Sequence, residues 1–144
     1  MATNTTLKSL NVAPAGEVQN YRQTEQFIAN ATIVLGDWVA YDFSKSDENI
    51  TKYVVQADLA VVTAQMAIGV ALNAAVAGEM VTVCTRGVCE GQTLAVAAAG
   101  DPLVITPTQG ATDTQVAGGI HPVVGYAKSA SASTGVHTVV VIGN

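Results

Sequence analysis

The sequence predicts an all-β fold, mainly strand with at most one short helix, arranged as a compact barrel- or sandwich-like domain. Two observations predict it. From Leu35 onward, short runs of Val, Thr and Ile are bounded by Gly, Asp, Asn and Pro, the punctuation of strands and tight turns. In addition, two stretches repeat one order of elements. The first reads Gly36-Asp37-Trp38-Val39-Ala40, then Ile68-Gly69-Val70-Ala71-Leu72-Asn73-Ala74, then Gly78 and the strand Val81-Thr82-Val83. The second reads Gly100-Asp101-Pro102-Leu103-Val104, then Val124-Gly125-Tyr126-Ala127-Lys128-Ser129-Ala130, then Gly135 and Val139-Val140-Val141. Each half thus spells Gly-Asp with an apolar strand, a variable excursion, a Gly-x-Ala-x-x-Ala segment, a glycine turn and a Val-rich strand. The excursions differ, 33 residues from Gly36 to Gly69 against 25 from Gly100 to Gly125, so what repeats is scaffold.

Taken in order, residues 1–25 are polar, with a Pro14-Ala15-Gly16 break, and 1–30 read as an extended N-terminal arm ahead of a single domain at 31–144. Glu17 to Asn30 fits a short helix, but Phe27, Ile28 and Thr32-Ile33-Val34-Leu35 favour a turn into a strand. Strands are predicted at 32–35, 38–43, 50–55, 66–72, 80–85, 88–90, 93–97, 102–106, 121–127 and 136–142. Ala64 to Ala77 carries helix formers, with Gly69, Ile68 and Val70 against them. A small helix between Asp58 and Ala67, capped by Asp58, fits the one-helix allowance. Thr106 to Gly119, rich in Thr, Gln, Gly and Ala, reads as a long surface loop.

Composition narrows function. The 144 residues make one domain, but 23 Ala and 22 Val with only seven aromatic residues give each buried position little area, so burial against neighbouring subunits is expected. Charged residues are 12%, about half the usual ~25%. A net charge of −5, with Lys8, Arg22, Lys45, Lys52, Arg86 and Lys128 scattered, excludes nucleic-acid binding. Asp42, Asp47, Glu48 and Asp58 around Lys45 and Lys52 lack the alternating pattern of a metal loop and read as a solvated loop. Met1-Ala2-Thr3-Asn4 has no signal-sequence character, so synthesis in the cytoplasm is expected, and the Asn-x-Thr sites at Asn4, Asn30 and Asn49 read as chance. Ala57 to Gly78 is long enough to span a bilayer, but Gln65 and Asn73 inside it and the lack of aromatic or basic anchors speak against a membrane protein.

Residues with chemistry in them are few. If Arg86-Gly87 is a hairpin turn, Cys84 and Cys89 form a non-hydrogen-bonded cross-strand pair, near the short end of disulfide geometry. Two states stay open: a Cys84–Cys89 disulfide, or two small buried thiols kept reduced by cytoplasmic synthesis. With no second cysteine pair, no metal site is expected. His121 and His137, with Asp101 or Asp113 and a serine, would make a hydrolase triad only with a nucleophile context, and no Gly-x-Ser-x-Gly elbow or phosphate loop is present. No enzyme and no cofactor are therefore expected. Trp38, Tyr41 and Phe43 along one strand read as a core or interface row rather than a sugar platform.

The run Ile68-Gly69-Val70-Ala71-Leu72-Asn73-Ala74-Ala75-Val76-Ala77-Gly78-Glu79-Met80-Val81-Thr82-Val83, followed by Arg86-Gly87-Val88-Cys89-Glu90-Gly91, resembles the small capsid decoration, or cement, proteins of tailed bacteriophages. The Gly36-Asp37, Gly100-Asp101 and closing Val139–Ile142 elements fit the family order, over roughly residues 32–144. The family hairpin often carries a bulky apolar residue where Cys89 stands. The resemblance implies a β-rich homotrimer on the outer surface of an icosahedral virion, bound to the major capsid protein and stabilising contacts between capsomers. The arm would bind the shell through Leu7, Leu10, Val12, Tyr21 and Phe27, for example by adding a strand to a sheet edge. The alternative is a virion-surface binding module, a head fibre base or a carbohydrate-binding domain.

Overall fold

The computed structural model describes residues 22–61, 66–94, 96–115, 119, 121–131 and 133–142. It is all-β. The strands are β1 (Arg22–Ala29), β2 (Trp38–Tyr41), β3 (Tyr53–Gln56), β4 (Ala67–Ala71), β5 (Met80–Thr93), β6 (Pro102–Ile105), β7 (Thr112–Thr114), β8 (Val123–Ala127) and β9 (Gly135–Val141), with one 3₁₀ turn at Asp47–Asn49. They form one sheet in the order β1-β3-β2-β4-β5-β7-β6-β8-β9, and the extra pairings β1–β5 and β5–β9 return that sheet on itself twice. The pairings thus trace two rings, β1-β3-β2-β4-β5 and β5-β7-β6-β8-β9. Strand β5 belongs to both.

The repeated sequence elements become repeated hydrogen bonds. Gly36 and Gly100 sit at φ 91° and 92°, a conformation that costs a side chain but not glycine. The Asp37 carboxylate accepts from the Val34 N–H and that of Asp101 from the Ala98 N–H, each at 2.8 Å. Gly78, at φ 91°, makes the same turn a third time, with Glu79 accepting from Val76 N–H at 3.0 Å. These turns launch β2, β6 and β5. Downstream, Gly36 and Gly100 donate to the Ala71 and Ala127 carbonyls at 2.9 and 2.8 Å, tying each turn to the end of β4 or β8. Register breaks recur too: one residue bulges in β4 opposite Val39/Ala40 and one in β8 opposite Leu103/Val104. Gly69 and Gly125 are equivalent and both are required by close approach. A Cβ on Gly69 would lie 2.2 Å from the Cys84 carbonyl oxygen, and one on Gly125 would lie 2.6 Å from the Val140 oxygen.

Two apolar clusters fill the domain. One joins Phe27, Ala29, Ile33, Val39, Val54, Ala71, Ala75, Val81 and Val83, all from the first ring and its loops. The other draws on both rings: Trp38, Ala40, Val70 and Cys84 meet Leu103, Ile105, Val124, Val139 and Val141. Alternation along β2 explains the split, since Val39 points into the first cluster while Trp38 and Ala40 point into the second. Trp38 is the largest side chain there and is fully buried. Its indole N–H donates to the Gln92 carbonyl at 3.1 Å, and it fills the space left by Gly91 and Gly125, where added Cβ atoms would meet it at 3.1 and 2.9 Å.

Several expectations are corrected. The predicted hairpin at Arg86-Gly87 does not form: β5 runs through from Met80 to Thr93 because Gly87 is paired on both sides, with Arg22 of β1 and Val141 of β9. Gly87, at φ 105°, and the extra residue Thr85 opposite Gln23/Thr24 bend the strand instead of reversing it. Residues 22–29, read as part of the arm, form β1 and pair along β5, because the partner strand supplies what their polar sequence does not advertise. The loop at 106–119 contains β7, paired with β6 and touching β5 at Thr93. Of the strands predicted at 32–35 and 93–97, the first gives only the isolated bridge Ile33↔Ala75, and in the second Thr93 ends β5 while Ala97 makes the isolated bridge Ala97↔Ser131. The small helix placed between Asp58 and Ala67 lies partly outside the described residues; Asp58 itself caps a turn by accepting from the Ala60 N–H at 2.8 Å. Among the described residues no helix is long and apolar enough to cross a membrane.

Candidate functional site

Asp42, Asp58, Asp101 and Asp113 each accept a hydrogen bond from a backbone N–H within three residues. Asp42 is buried, accepts from Ser44 N–H at 3.0 Å and from Asn30 at 2.6 Å, and also binds the Ser44 hydroxyl. With the turn-capping Asp58, it departs from the solvated-loop reading, which holds for the exposed Glu48–Lys52 pair at 3.2 Å. Asp101 caps its turn and Asp113 accepts from the Thr114 N–H at 2.7 Å, and among the described residues no hydrogen bond joins either to a histidine. His137 pairs with the Ser133 carbonyl at 2.7 Å. Among the described residues no three His, Cys, Asp or Glu side chains group to hold a metal.

Asp37 is buried as well. Its Oδ2 also accepts from the Gln56 amide at 2.6 Å, bridging β2 and β3. Burial pushes its carboxyl above the usual 3.8, against the Val34 and Gln56 hydrogen bonds that pull it down. The native state therefore binds this proton at higher pH than the unfolded chain does. The stability it contributes is full below pH 3.8 and lost as pH rises through the native value. Urea midpoints at pH 3 and pH 7 should show the deficit of Asp37→Asn relative to wild type shrinking toward neutral pH; a deficit that grows would mean the two hydrogen bonds dominate.

Cys84 and Cys89 are free and buried. Both side chains belong to the second core cluster, and the Cys84 thiol donates to the Arg86 carbonyl at 3.5 Å. Donation from Cys89 pulls the Cys84 thiol down and holds the Cys89 proton well above the ordinary thiol range, with burial adding to the latter. Titration of the unreduced, denatured protein with a thiol reagent should find two free thiols per chain, and none if the pair is bridged.

What faces outward is apolar surface. Val34 (54% exposed), Leu35 (53%) and Val136 (44%) lie near one another, because Gly36 brings Val136 close to the turn that carries Val34 and Leu35. A second patch surrounds a depression of about 150 Å³ lined by Tyr41, Phe43, Met66 and Ile68 with Glu25 and Thr85. Phe27, Tyr41 and Phe43 form an edge-to-face series, at 5.8 and then 6.4 Å between centroids, leading from the core to this surface. Of the predicted anchors, Phe27 is thus committed to the domain's own core; Leu7, Leu10, Val12 and Tyr21 lie outside the described residues.

A family model described as phage cement protein matches residues 13–143. The chain belongs to the phage cement protein family. Its fold is similar to that of the head fibre gp8.5 N base of bacteriophage phi29, with a TM-score of 0.59 at 17% identity over 84% of this chain and 94% of that one. No curated protein matches the sequence. Membership gives this cement protein a structural, capsid-associated role, which accords with acids used as turn caps and with apolar side chains left at the surface.

Proposed function

We propose that this cement protein binds the outside of an icosahedral phage head as a homotrimer and strengthens contacts between neighbouring capsomers of the major capsid protein. The observation that carries the reading is the family match from residue 13 to 143, which takes in part of the N-terminal segment as well as the β domain. The mechanism is added contact area without turnover. Each 100 Å² of apolar surface removed from water contributes about 2.5 kcal/mol before the costs of association. Val34, Leu35, Val136, Phe43 and Met66 supply such surface on the domain. In this reading Leu7, Leu10, Val12 and Tyr21, ahead of Arg22 in the sequence, are the further anchors that bind the shell.

The fold shared with a phage head fibre base supports a second reading, in which the domain seats a fibre on the head. Co-sedimentation with undecorated heads, beside light-scattering mass of the free protein, tests the first. Saturable binding by a species of three chains is expected; a monomer that stays in the supernatant would sink it.

A further inference from the structure

An open cleft of about 560 Å³ lies where the start of β1, the bend of β5 and the end of β9 meet, lined by Arg22, Gln23, Arg86, Gly87, Val140 and Ile142 among others. Two features set it apart. It gathers two of the six basic residues of a chain with net charge −5. Neither guanidinium has an ion-pair or hydrogen-bond partner among the described residues, whereas Lys52 is paired with Glu48 and Lys45 lies over the Tyr53 ring at 5.0 Å. Glu90, which lines a second depression together with Arg22 and Lys128, accepts from the Thr138 hydroxyl at 2.9 Å.

Unpaired arginines grip a carboxylate or a phosphate with two parallel hydrogen bonds, and on a protein shell the side chains supply the carboxylate, next to an aliphatic or aromatic group that covers Val140 and Ile142. The cleft also lies at the root of the arm, since residues 1–21 continue directly from Arg22. A surface contacted by the arm is therefore within reach of the cleft.

We propose that this cleft receives an acidic, apolar-bearing segment of the protein shell, clamped between Arg22 and Arg86; the inference rests on the capsid reading above. Steering by the two charges makes attachment salt-dependent, while the apolar floor fixes where the segment sits.

The test uses the full-length protein and empty heads, so that packaged DNA contributes nothing. Wild type, Arg22→Glu/Arg86→Glu, the neutral Arg22→Gln/Arg86→Gln and a control reversal elsewhere, Lys45→Glu/Lys52→Glu, are compared at two salt concentrations. Circular dichroism checks that each is folded. Both cleft variants should bind at least tenfold more weakly than wild type and lose most of its salt dependence, with the glutamine pair deciding if the glutamate pair fails to fold. The lysine control should bind as wild type does. Binding by the cleft variants equal to wild type overturns the clamp and leaves the capsid reading standing. Equal weakening in the lysine control assigns the effect to net charge and also overturns it. Absence of binding by wild type overturns both readings.

Discussion

Trp38→Ala should cost about 4 kcal/mol, a large share of the 5–15 kcal/mol that holds a domain of this size together. The indole is the one aromatic side chain in a cluster otherwise built of Ala, Val, Leu, Ile and Cys, and it joins residues from both rings. Removing it empties the space that Gly91 and Gly125 leave for it and takes from the Gln92 carbonyl one of its two donors, the Thr112 hydroxyl at 3.0 Å remaining. The neighbouring glycines cannot close the gap, because β8 is already at backbone contact with β9 through Gly125 and the Val140 carbonyl. Phe43→Ala, on the exposed patch, should change stability by no more than about 0.5 kcal/mol. Urea unfolding of the two variants reads the difference directly; a cost below 1 kcal/mol for Trp38→Ala would mean the rings are held together by strand pairing alone.

Removing residues 1–21 should leave the domain folded and reduce binding to heads by an order of magnitude or more. The boundary matters. A cut at residue 25 would take half of β1 from its ladder with β5, and one beyond Ala29 would also remove Phe27 and Ala29 from the core and open the first ring. Loss of binding in those longer truncations would report unfolding, whereas loss in the 21-residue truncation, with an unchanged unfolding midpoint, reports the arm. Undiminished binding by the short truncation would remove the arm from the account and leave the domain's own surfaces to carry attachment.

How far the sequence foretold this structure depended on whether the cause was local. The Gly-Asp turns were legible because glycine provides the positive φ and a carboxylate three residues on from the N–H that donates to it closes the turn, both within four residues. Gly69 and Gly125 were legible as equivalents, although the reason for each, a backbone oxygen of the next strand, appears only once the strands are paired. The course of β5 was not legible. Arg86-Gly87 has the composition of a two-residue turn, and only the partners on both sides of Gly87 turn it into a bend within one strand. Strands β1 and β7 were missed for the same kind of reason: Arg22-Gln23-Thr24-Glu25-Gln26 and Thr112-Asp113-Thr114 carry no apolar alternation of their own. The arginine cleft was invisible in the chain, where 64 residues separate Arg22 from Arg86; the pairing of Gln23 with Arg86 is what brings them together.

The proposed role of this cement protein, adding contacts that hold a phage head against stress, is tested most directly by heat. Heads lacking it, filled with DNA and heated with a DNA-binding dye present, should release DNA at one temperature alone and at a distinctly higher one once the purified protein is added back. Release at the same temperature in both, with the protein bound, would contradict it.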